Sequence, residues 1–126
     1  LASPLAQSDS YIDALTNFLN KKDSQLFILL QENQLQKNPK LQNLLSYYKR
    51  IFPDKIHIKK SYCTLKNPQS GQNIHFTVGD DDIFRLENDT ENYKAFGSFN
   101  NKEFCATLIQ KFDTLFDSNK NEAFIF

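Results

Sequence analysis

A mixed β-sheet covered by about three helices, an α/β fold, is what this sequence predicts. Apolar residues recur at helical spacing in some stretches, alternate or run continuously in others, and Pro, Gly and Asn punctuate the junctions. At 126 residues and 14.7 kDa the chain has the length of one domain. The expected organisation is a linker or arm over residues 1–9 and a single α/β domain over residues 10–126. Met is absent throughout, which predicts a domain excised from a longer protein. With 40% hydrophobic and 24% charged residues, 12 Phe and no Trp, the composition is that of a folded domain and not of a disordered segment. No run approaches the ~20 apolar residues needed to cross a bilayer, so a cytoplasmic protein without membrane contact is expected.

Ser8, Asp9 or Ser10 caps a first helix whose stripe is Tyr11, Ile12, Leu15, Phe18 and Leu19, ending near Lys22. The uniformly apolar Leu26, Phe27, Ile28, Leu29 and Leu30 then predict a central strand covered on both faces. Asn38 and Pro39 start a second helix, with Leu41, Leu44, Leu45, Tyr48 and Ile51 inward, and Pro53 closes it. Residues 55–62 alternate, placing Ile56 and Ile58 opposite His57 and Lys59, as in a strand with one functional or solvated face. After a turn over residues 67–71, strands are predicted at 73–78, 83–87 and 93–98, joined by acidic hairpins. Asn100 or Asn101 caps a third helix, with Glu103 placed for a capping box and Phe104, Leu108, Ile109, Phe112, Leu115 and Phe116 inward. Residues 123–126 read as an edge strand or as the start of something further on.

The zero formal net charge conceals an asymmetry. Residues 37–66 carry eight basic side chains against the single acid Asp54; residues 79–103 carry seven acids against Arg85, Lys94 and Lys102. Such regions are solvated faces, or they attract a charged partner or a second copy of the chain. Cys63 and Cys105 lack the short paired spacings of a zinc site and are read as free thiols, a disulfide being the alternative in an exported protein. The acidic Asp80, Asp81 and Asp82 lack the alternating ligands of a calcium loop, and His57 and His75 are the only histidines. No metal or cofactor is therefore expected. Nucleic acid is a weakly supported partner, since Lys55, Lys59, Lys60 and Tyr62 form no reading motif.

His75 and Thr77 lie two apart on a predicted strand and face the same side. Together with Asp82 and the downstream run Gly97, Ser98, Phe99, Asn100, Asn101, they spell H-x-T-x4-D and G-S-x-x-N. This pattern resembles the phospholipase D superfamily, in which H-x-K-x4-D is followed by G-S-x-x-N. The resemblance covers roughly residues 10–118 in layout but few residues in motif, and it implies a phospholipase D-like half-domain that dimerises so that two histidines meet. It assigns His75 as the nucleophile on phosphorus, Thr77 to the position of the phosphate-holding lysine, and Asp82, Ser98 and Asn101 to the remaining motif positions. Thr77 supplies no cation, a loss on the order of several kcal/mol of transition-state stabilisation.

Three functions follow. One is a non-catalytic, pseudoenzyme-like module of a larger bacterial protein that binds, senses or dimerises through a second copy or a neighbouring domain. Another is a phosphodiesterase or nuclease in which Lys59 or Lys60 replaces the missing cation beside His75. The third is an inhibitor or immunity-type protein that docks a basic partner on residues 80–91.

Overall fold

The computed structural model describes residues 3–32, 35–92 and 94–126. The chain forms two compact units, residues 1–60 with 122–126 and residues 61–121, each with its own sheet.

In the first unit, α1 (Asp9–Leu19) begins where Ser8 Oγ accepts the Tyr11 N–H at 3.2 Å. The chain then enters β1 (Leu26–Leu30), passes a 3₁₀ turn at Leu35–Lys37, and forms α2 (Pro39–Ile51). Asn38 caps α2 through Oδ1, which accepts the Leu41 N–H at 3.3 Å, while its Nδ2 donates to the Ala6 carbonyl at 2.8 Å. Those two bonds explain how a polar side chain is tolerated at 1% exposure. Pro53 stops α2, and Lys49 Nζ closes its C-terminal end by donating to the Pro53 and Ile56 carbonyls, both at 2.8 Å. β2 (Ile56–Lys60) returns parallel to β1, in register from Leu26 opposite Ile56 to Leu30 opposite Lys60, and α2 supplies the crossover. The short β6 (Glu122–Ala123) pairs antiparallel with Lys60 and Lys59. Leu19, Leu30, Leu35, Leu41, Leu45, Tyr48 and Ile56 form the core, flanked by the α1 stripe.

The second unit is an antiparallel meander of β3 (His75–Gly79), β4 (Ile83–Asp89) and β5 (Lys94–Ser98), followed by α3 (Lys102–Phe116). Phe76, Val78, Phe84 and Leu86 face α3 and pack with Phe104, Cys105 and Leu108. Its long entry loop folds on itself through a bridge between Lys66 and Asn73, with Gly71 at φ +73° providing the left-handed turn.

Several expectations are corrected. The strands form two three-stranded sheets and not one mixed sheet, because residues 61–74 bridge to themselves before a new meander begins. Among the described residues β1 pairs with β2 alone and stands at a sheet edge, and Phe27 is 46% exposed, so the strand is not covered on both faces. Asn101 and not Asn100 caps α3, which moves Glu103 off the capping-box position. The terminal strand is confined to Glu122 and Ala123, and the expected Tyr93 start of β5 lies outside the described residues. No helix among the described residues is long and apolar enough to cross a membrane.

Candidate functional site

Strand alternation places His75 and Thr77 on one face of β3, as anticipated, and the hairpin register sets Glu87 opposite His75 and Arg85 opposite Thr77. All four occupy the face turned away from the Phe76, Val78, Phe84 and Leu86 packing surface. Glu87 is only 5% exposed. Arg85 Nη1 donates to its Oε2 at 3.2 Å, and His75 Nδ1 lies 3.8 Å from Oε1. A carboxylate buried to this degree is stable only when a donor or cation answers it, and Arg85 fills that role from a side chain itself 43% exposed. The His75 contact, at 3.8 Å, is longer than a hydrogen bond.

The remaining motif residues gather at the other end of β3. Asp82 closes the turn after Gly79, in which Asp80 takes a left-handed φ of 53°. The Asp82 carbonyl accepts the Asn101 N–H at 3.0 Å, and Asn101 Oδ1 accepts the Phe104 N–H at 3.0 Å. Ser98 Oγ accepts the Asn100 N–H at 3.3 Å. The first of these bonds joins the β3–β4 turn to the start of α3, the second caps that helix, and the third folds the end of β5 into the connection. Four residue steps of roughly 3.4 Å each separate His75 from Gly79, where this turn begins. Asp82, Ser98 and Asn101 thus gather near the Gly79 end of the meander, and His75 stands at the far end of β3, roughly 13 Å along the strand from Gly79.

Gly97 has a local explanation. A Cβ there would fall 2.2 Å from the Phe84 carbonyl oxygen, so the close approach of β5 to β4 demands glycine. Lys59 and Lys60 lie on β2, in the other compact unit, opposite Leu29 and Leu30. Cys63 and Cys105 are free thiols, Cys63 partly exposed and Cys105 buried. Burial first, then the carboxylates of Asp82 and Asp81, push the Cys105 thiol up. A shallow groove of about 650 Å³ runs along α3, lined by Asp81, Lys102, Ile109, Asp113 and Asp117 among others, and none of His75, Thr77, Ser98 or Asn101 reaches it. Among the described residues no cluster of three or more His, Cys, Asp or Glu side chains is placed to hold a metal ion.

Arg85 and Glu87 are the residues that motif reading misses. Their signal was nonetheless present: a turn over residues 80–82 pairs 79 with 83, and counting outward pairs Thr77 with Arg85 and His75 with Glu87.

No family model, curated protein or solved structure matches this chain.

Proposed function

We propose that this chain is a non-catalytic interaction module, a phospholipase D-like pseudoenzyme whose motif residues now serve the architecture. The supporting observation is the placement of His75 at the opposite end of β3 from Asp82, Ser98 and Asn101, together with the employment of the Ser98 and Asn101 side chains in the β5–α3 connection. An in-line attack on phosphorus needs nucleophile and oxygen-binding donors around one small group, and the stretch of roughly 13 Å along β3 from His75 to Gly79, where the turn to Asp82 begins, favours the non-catalytic reading. A cytoplasmic setting, in a larger bacterial protein, accords with two thiols left unpaired.

One observation favours a second reading, phosphodiester hydrolysis: Arg85 stands opposite Thr77 and offers on the neighbouring strand the cation that the motif lacks. Its guanidinium is already engaged by Glu87, which ranks this reading second. The test is hydrolysis of a chromogenic phosphodiester and of single-stranded DNA, with EDTA present, by the unmodified chain and by His75→Ala. The expected result is no hydrolysis by either protein. Turnover that disappears in His75→Ala would overturn the proposal in favour of a phosphohistidine-type enzyme.

A further inference from the structure

We propose that the open edge of β5 docks an extended, basic strand of a partner protein. This rests on the reading of the chain as an interaction module and names the kind of partner.

Among the described residues β5 pairs with β4 alone, and no other described strand receives the backbone N–H and C=O groups of its outer edge. Folded proteins usually guard such an edge with proline, a bulge, buried charge or a covering element. Residues 94–98 contain no proline and one charge, Lys94 at the end of the strand, and all but Ser98 are exposed. The register irregularity in the β4–β5 pair falls between Glu87 and Asp89, beyond most of the strand. Two aromatic side chains stand along this edge. Phe96 is 51% exposed, edge-on to Phe84 at 6.1 Å, and Phe99, just past the strand, is 83% exposed. Exposed aromatics on a rigid sheet are the groups that anchor interfaces, because burying them releases much apolar area at little entropic cost.

Charge selects the occupant. At the Ser98 end of the edge lie Asp80, Asp81 and Asp82, joined to the β5–α3 connection by the Asn101 to Asp82 bond. At the Lys94 end lie Asp89, its register partner, and Glu91. The unit of residues 61–121 carries six basic side chains against nine acids. Pairing of β5 with β5 of a second copy would set acidic ends against acidic ends in either orientation, which like-charge repulsion opposes. Nucleic acid is disfavoured for the same reason. A strand that alternates apolar and basic residues satisfies both features: its apolar face meets Phe96, its charges answer the acidic ends, and its backbone completes the ladder.

The experiment is a titration of the isotopically labelled full chain with a lysine–valine alternating heptapeptide, followed by amide NMR. Controls are the glutamate–valine counterpart and a lysine–valine peptide N-methylated at alternate residues. The expected result is shift changes and slowed exchange centred on residues 94–98, with affinity at least about tenfold above that for the glutamate–valine peptide. Binding is lost on N-methylation, and it falls on the order of tenfold in the double variant Asp81→Lys, Glu91→Lys. Unperturbed β5 amides, equal affinity for the acidic peptide, undiminished binding of the methylated peptide, or a dimer mediated by β5 in sedimentation would each overturn the proposal. The two proposals fail separately: hydrolysis lost in His75→Ala ends the non-catalytic reading and leaves these titrations unchanged.

Discussion

The two units of this chain solve the problem of a small core in different ways. Residues 1–60 with 122–126 place α1, α2 and a parallel β-pair around aliphatic side chains, with Leu19, Leu35, Leu45 and Ile56 at 0% exposure. Residues 61–121 place one helix on one face of an antiparallel meander, and only Cys105 in its buried cluster reaches 0%, while Phe84 and Leu108 retain 7% and 8%. A parallel pair needs a crossover helix, and that helix covers the sheet from which it came. An antiparallel meander needs only turns, so its other face and its edges are left to polar groups and partners. The first unit therefore has the sequence economy of a scaffold. The second holds the buried Glu87 with Arg85 and His75, the acidic turns, and the exposed Phe96 and Phe99.

The comparison breaks most readily at the cores. Leu45→Ala is expected to destabilise by about 3–5 kcal/mol, because a side chain at 0% exposure leaves a cavity its neighbours cannot fill. Leu108→Ala, at 8% exposure in the thinner cluster, is expected near the low end, about 2 kcal/mol. Denaturant titration gives both values, and hydrogen exchange assigns each loss to its unit; equal losses would mean that the two cores are equally well packed. Gly97→Ala comes next. Its methyl group would meet the Phe84 carbonyl oxygen at 2.2 Å, and the expected cost is about 1–3 kcal/mol with exchange accelerated along β4 and β5. An unaffected β4–β5 pair would remove the packing explanation for this glycine.

The helices were legible in the sequence because their signals are local. Ser8 and Asn38 announce α1 and α2 as caps, and Pro53 ends the second within a residue or two. Alternation likewise located β2 and β3. Alternation says that a residue is extended, however, and says nothing of which strand receives its hydrogen bonds. The run from Leu26 to Leu30 reads as a strand covered on both faces, yet it stands at a sheet edge, since β2 and β6 fill the other positions. The same limit hides the division into two sheets. At the candidate site, motif spacing drew attention to His75 but not to Glu87 and Arg85, whose relation to it exists only through the hairpin register. Asp82, Ser98 and Asn101 are adjacent to one another for reasons of turn and cap chemistry, which a motif shares with any strand-to-helix junction.

That ambiguity can be sharpened at Asn101. As an N-cap its side chain receives one N–H, and Asn101→Ala is expected to cost about 1 kcal/mol, with faster exchange at the Phe104 amide, whereas Asn101→Asp retains nearly all the stability. Thermal melts of the two variants decide it: equal losses would show that the side chain acts as something other than a cap.

The smallest effect concerns Cys105 and distinguishes its buried thiol from the partly exposed Cys63 of the same unit. Burial, reinforced by the negative charges of Asp82 and Asp81, raises the Cys105 pKa in the folded chain. The unfolded chain releases this proton in the ordinary thiol range near ~8.5, while the folded chain still holds it. The contribution to stability is therefore complete below that range and is lost as pH rises through it toward the folded value. Melting temperatures followed from about pH 7 to about pH 10 are expected to fall more steeply for the unmodified chain than for Cys105→Val. Parallel slopes for Cys105→Val and the unmodified chain would mean that the interior around Cys105 admits the thiolate, and that the core of residues 61–121 is as open as its exposed sheet edge.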